Sequence, residues 1–211
     1  MSELKVENLR IEWPGFSKQW SFSLQGNERV AVAGASGAGK STLLRALAGL
    51  PVGLNGQVSG SVQLNGRQLL GLKPEQRNIG MVFQDPLLFP SMSLLENVVL
   101  GLRYRSRLAP LDREAQGMAA LQRLGLGKRA HESVIGLSGG EKQRISFLRA
   151  VLPGPELLLL DEPFTALDPE MKERLRSDLL AWHGEAKVPV LLVTHDDREV
   201  AALATSTIKA P

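Results

Sequence analysis

The stretch "ERVAVAGASGAGKSTLLRALAGL" (residues 28–50) constrains the fold more than any other. An apolar run that reads as a buried strand enters a glycine loop. The loop opens a segment with Leu43, Leu44, Leu47 and Leu50 at helical spacing, which Pro51 stops. Within it "GASGAGKS" (Gly34–Ser41) fits G-x-x-x-x-G-K-[ST], placed between strand and helix as a phosphate-binding P-loop requires. Glycines let successive backbone N–H groups turn inward around an anion, and the helix N-terminus adds its dipole. The expected phosphate cradle is Gly34, Ala35, Ser36, Gly37, Ala38, Gly39, Lys40, Ser41 and Thr42. Lys40 would reach the β- and γ-phosphates, and the Ser41 hydroxyl would face Mg²⁺.

Strands flank this unit. "LKVENLRIEW" and "WSFSLQG" precede it, "VSGSVQLNGRQL" follows with an Asn65–Gly66 turn, and "NIGMVFQ" reads as a buried strand ending at Gln84. From about Asp85 to Pro155 strand signals stop. "SMSLLENVVLGL", "DREAQGMAALQRLG" and "SGGEKQRISFLRAVL" all read as helices there. Strands and helices alternate again from "ELLLLDEP" through "VPVLLVTH" to "TSTIK", with a helix from Asp168 to about His183. The pattern predicts an α/β fold with a mainly parallel, two-sided sheet. Its core would be residues 1–85 and 156–211, with an antiparallel β region near the N-terminus and a helical subdomain at 86–155.

Two strand ends carry acids or imidazole. "ELLLLDEP" puts Asp161 and Glu162 at the carboxyl end of a buried strand, where open α/β sheets bind ligands. Asp161 would hold Mg²⁺, directly or through water; Glu162 would polarise an attacking water or accept its proton. "VLLVTHDD" ends a strand with His195, either a structural residue or one that senses the γ-phosphate. Gln84 is either a strand-end amide or a contact for Mg²⁺ and the lytic water. Asp168 reads as an N-cap, with Pro169 at the first helical position and Glu170 in the first turn.

A second glycine-rich segment, "GLSGGEKQRI" (residues 136–145), opens another helix but has no lysine in the P-loop position. Ser138 with Glu141, like Ser93 with Glu96, has the spacing of a capping box.

The 25 Lys and Arg against 22 Asp and Glu leave +3, too weak an excess to suggest nucleic acid. The absence of cysteine excludes disulfides and thiolate metal sites. No apolar run approaches the roughly 20 residues of a membrane span, and "MSELKVENLRIEW" lacks the regions of a signal peptide. A soluble, intracellular protein is expected, reaching a membrane only through a partner. "RYRSR" (Arg103–Arg107) reads as a solvated helix face.

With these pieces in order the chain resembles the nucleotide-binding domain of ATP-binding cassette (ABC) ATPases over nearly its whole length. The motifs are "GASGAGKS" (Walker A), "VFQD" (glutamine loop), "LSGGEKQ" (signature), "LLLLDE" (Walker B), "ALD" (D-loop) and "VTH" (switch histidine). The resemblance implies ATP and Mg²⁺ as cofactors, and a head-to-tail dimer with a second copy or a homologous subunit. Each ATP would lie between one chain's P-loop and the other's signature, with Ser138, Gly139 and Gly140 closing over the γ-phosphate. Asp168 would communicate across the interface, and Trp13, with Phe16 as its rival, would stack on adenine.

"PEQRNIGMVFQDPLLFPSMSLLENVVLGL" and "LSGGEKQR" look like importer cassettes of the molybdate, thiamine and sulfate type. Such resemblance implies integral membrane permease subunits, a solute-binding protein acting through them, and a place on the inner face of the cell membrane. A coupling helix of the permease would meet Gln84 to Phe89, unless "LLFP" packs internally. A second possibility is a soluble ABC ATPase acting on nucleic acid or ribosomes. Two departures stand out: the sequence ends at "TSTIKAP", where relatives continue through another strand, and "ISFLRA", with Phe147, replaces the usual small residues.

Overall fold

Five short strands build the central sheet of the computed structural model, which describes residues 2–105, 109–165 and 167–211. In chain order the strands and α-helices are β1 (Glu3–Trp13), β2 (Phe16–Gln25), β3 (Arg29–Ala33), α1 (Lys40–Ala48), β4 (Gln57–Leu64), β5 (Arg67–Gln68), β6 (Ile79–Val82), α2 (Leu94–Arg105), α3 (Pro110–Arg123), α4 (Gly139–Val151), β7 (Leu157–Asp161), α5 (Pro169–Ala186), β8 (Val190–Val193), α6 (Asp197–Leu203) and β9 (Ser206–Lys209). The central sheet runs β6-β7-β8-β3-β9 with every neighbouring pair parallel. Leu157 to Leu160 and all of β8 are buried, as strands covered on both faces must be. Parallel pairing aligns the strand ends: Val82 sits beside Leu160, and Val193 beside both Asp161 and Val32. The loops after β3, β6, β7 and β8 therefore leave from one edge.

A second, antiparallel sheet, β2-β1-β4-β5, packs its apolar face on α1 and the central sheet, with Leu4, Leu9, Ile11, Leu24, Val62 and Leu64 in the shared core. Asn65 and Gly66 both have positive φ (54° and 77°), the geometry of a tight hairpin turn. Between β6 and β7 no strand occurs among the described residues, only a single bridge pair, Ser93 with Ser133. Helices α2, α3 and α4 bury a cluster of their own there, including Leu94, Val98, Leu102, Leu121 and Ile145.

Both expected capping boxes form. The Ser93 and Ser138 hydroxyls accept from the N–H of Glu96 and Glu141, and each carboxylate accepts from the N–H of its serine. Two boundaries differ from expectation. Helix α1 ends at Ala48 rather than at Pro51, because Gly49 turns left-handed (φ 78°) and its N–H caps Arg45 and Ala46. Strand β6 ends at Val82, not Gln84, because the Phe83 carbonyl accepts from the Gln143 side chain (2.9 Å). Phe147 is buried and meets Trp182 of α5 edge to face, with centroids 6.2 Å apart. Of "RYRSR", Arg103 is exposed, whereas Ser106 and Arg107 lie outside the described residues, as does Ala166 of "ALD".

Candidate functional site

The loop from β3 to α1 is shaped by its glycines. Gly37 and Gly39 hold φ of 78° and 86°, which side-chain-bearing residues rarely adopt. A Cβ on Gly39 would also lie 2.7 Å from the Phe16 ring. Gly39 is the N-cap of α1 and supplies no side-chain hydrogen bond, so the first-turn N–H groups have no side-chain cap. Lys40 folds back over the loop, its Nζ donating to the carbonyls of Gly34 (2.7 Å) and Ala35 (2.9 Å).

Around this loop lies a cavity of about 320 Å³ lined by Trp13, Phe16, Ser36, Gly37, Gly39, Lys40, Ser41, Thr42 and Glu162. Trp13 and Phe16 sit on either side of the Pro14–Gly15 turn, and their rings are stacked at 3.9 Å and 5°. Phe16 is the ring in contact with the P-loop, while Trp13 also packs against Gly53.

Strand β7 delivers the two acids to the same place. The Ser41 hydroxyl donates to Asp161 Oδ1 at 2.7 Å. Burial pushes the Asp161 carboxyl above its ordinary value, against the lowering effect of the Ser41 hydrogen bond. A hydroxyl beside a carboxylate held in partly desolvated surroundings is a hard-oxygen donor set, and it suits Mg²⁺. Glu162 occupies a left-handed backbone conformation (φ 47°), held by its N–H donating to the Val193 carbonyl (2.8 Å). Its Oε2 accepts from the Thr165 hydroxyl (3.1 Å) and lies 3.2 Å from His195 Nδ1. Backbone strain thus aims a carboxylate at an imidazole and into the P-loop cavity, a pairing able to hold and move a proton.

The remaining expected residues lie elsewhere. Gln84 is exposed just beyond β6 and hydrogen-bonds neither Ser41 nor Asp161. Asp168 caps α5, its carboxylate accepting from the Met171 N–H (2.9 Å). Ser138, Gly139 and Gly140 start α4 and do not line the P-loop cavity. Ser138 and Gly139 are exposed, but Gly140 is buried, and a Cβ there would sit 2.4 Å from Met171 Cγ.

Sequence reasoning missed the residues that hold the glutamine-loop segment. The half-exposed Phe83–Leu87 backbone is gripped from α4: Gln143 reaches Phe83, and Arg149 donates to the Pro86 and Leu87 carbonyls, each at 2.8 Å. Asp85, Pro86, Leu87, Leu88, Pro90, Val134, Ile135 and Lys142 line a groove of about 350 Å³ there, in which Leu87 and Ile135 are exposed. Within "LLFP", Leu88 packs against the helical cluster, whereas Leu87 and Phe89 are exposed. No described helix is long and apolar enough to cross a membrane.

A P-loop after β3, paired acids at the end of β7, and a glycine-led helix in a helical insert define the fold as a P-loop NTPase of the ATP-binding cassette type. The "ABC transporter" family model matches residues 17–165, and the chain belongs to that family. It is 43% identical to the Fe(3+) ions import ATP-binding protein FbpC of Streptomyces coelicolor, over 86% of this chain and 51% of that protein. It is 42% identical to the taurine import ATP-binding protein TauB of Pseudomonas aeruginosa, over 99% and 78%. With the molybdenum import ATP-binding protein ModC of Pseudomonas fluorescens the identity is 38%, over 93% and 54%. The chain thus spans about half the length of FbpC and of ModC. Among solved structures it is similar to the dimeric post-hydrolysis state of the ATP-binding cassette MJ0796 bound to ADP and Pi. That likeness has a TM-score of 0.80 at 27% identity and covers 100% of this chain and 94% of the other.

Proposed function

We propose that this chain binds and hydrolyses ATP to drive a membrane importer for a small solute, working as a head-to-tail dimer beneath separate permease subunits. The observation that carries the reading is the convergence of Lys40, Ser41, Asp161, Glu162 and His195 on one P-loop edge. The names of FbpC, TauB and ModC, all import ATP-binding proteins, support import as the direction of transport.

The P-loop N–H groups and Lys40 hold the phosphates, and the Trp13–Phe16 stack offers the base an aromatic surface. Ser41 and Asp161 would hold Mg²⁺, with Gln84 assigned to the same ion and to the lytic water; such an ion would supply neutralisation of phosphate charge. Glu162 accepts the proton of the attacking water, and His195 fixes the carboxylate and meets the γ-phosphate. Ser138, Gly139 and Gly140 of one copy close on the ATP held by the other, and Asp168 lies at the contact. The exposed Leu87, Phe89 and Ile135 around the groove fit an apolar coupling helix of the permease. A solute-binding protein would act through that permease.

The testing variant is Glu162→Gln. It should bind ATP normally while turnover drops roughly 100-fold or more, as loss of a general base does. Near-normal phosphate release by this variant would overturn the assignment.

A further inference from the structure

The His195 side chain is 68% exposed, and its Nδ1 lies 3.2 Å from Glu162 Oε2. Its neighbours on both sides are nonetheless pinned. The Thr194 hydroxyl donates to Glu199 Oε2 (2.5 Å) and accepts from the Asp196 N–H (3.2 Å). The Asp196 carboxylate accepts from the Arg198 N–H (2.9 Å) and lies 3.6 Å from Lys172 Nζ. Lys172 also donates to Glu199 Oε1 at 3.0 Å.

Glu199 stands at the centre of this set and is only 3% exposed. A carboxylate that buried needs a partner on each oxygen, and it has one: Thr194 on one side, Lys172 on the other. Lys172 stands in the first turn of α5, its N–H bonded to the carbonyl of the N-cap Asp168 (3.0 Å). The loop that presents His195 is therefore bolted to the start of α5 through one buried acid.

We propose that Glu199, with Lys172, is the positioning residue of the His195 loop, setting the imidazole against Glu162. The proposal rests on the reading of His195 as part of the hydrolytic site. Neither residue lines the P-loop cavity.

The chain has three histidines, so each imidazole Cε1–Hε1 signal can be followed by NMR in the intact protein. In Glu199→Gln and in Lys172→Met, the His195 signal should move while those of His131 and His183 stay. Turnover of MgATP should fall roughly ten- to hundredfold, the size expected of a misplaced catalytic group. KM for ATP should stay within about twofold, because the phosphate cradle is untouched. Lys172→Arg, which keeps the charge and the reach, should restore both readouts. A folded Glu199→Gln protein with wild-type turnover, or with an unmoved His195 signal, would overturn the proposal. If the wild-type chain releases no phosphate from ATP, the proposed activity falls instead, and the His195 signal alone decides the positioning role.

Discussion

Two helices in this molecule begin with glycine-rich loops, and they begin differently. Helix α1 follows Gly39, which is left-handed and caps nothing with a side chain; Lys40 lies across the loop. Helix α4 follows Ser138, which closes a reciprocal capping box with Glu141, itself paired to Arg129 at 2.8 Å. The first loop has no side-chain cap, spends the Ala38 N–H on the Ala35 carbonyl (3.2 Å), and borders a cavity that Glu162 also lines. The second satisfies two of its N–H groups internally, has no lysine at the loop and lines no part of that cavity. A self-capped start of this kind keeps its shape without a ligand, which suits a surface that meets an anion only when another molecule brings one.

The sharpest way to break the comparison is inside the second loop. Gly139 has open space around its Cβ position, whereas Gly140 is pressed against Met171. Gly140→Ala should lower stability by about 1–3 kcal/mol, the usual penalty for overpacking. Gly139→Ala should stay within about 0.5 kcal/mol of wild type. Denaturant melts of the two variants check this, and equal destabilisation would show that Gly140 is not a packing glycine. A smaller effect is expected from Ser138→Ala, about 1 kcal/mol through loss of the cap. A matching change at Gly39 has no cap to lose, so of these two helices only α4 can show cap loss. Unchanged stability of Ser138→Ala would mean that the box contributes nothing to the start of α4.

Much of this was legible beforehand for definite reasons. The P-loop and both capping boxes depend on residues a few positions apart, so spacing alone reveals them. Parallel strands read as apolar runs because both faces are covered, and their order then puts Asp161, Glu162 and His195 at one edge. The hold of Gln143 and Arg149 on the glutamine-loop backbone was not legible, because the contacts span about 60 residues and end on carbonyls that every residue carries. Nothing in the sequence singles out Glu199; only the fold shows it buried, with Thr194 and Lys172 on its two carboxylate oxygens. The Gly49 stop lay in plain view, but Pro51 drew the boundary too far. Trp13 and Phe16 were rivals in the sequence because nothing there shows that they stack on each other.

The central claim is that the two loops serve one nucleotide from two copies of the chain. Sizing the Glu162→Gln protein with ATP, with and without Ser138→Arg, tests it most directly. The single variant should run at about twice the 22.9 kDa of one chain. The double variant should bind ATP equally well and remain a monomer. A double variant that dimerises with ATP as readily as the single one would contradict the account.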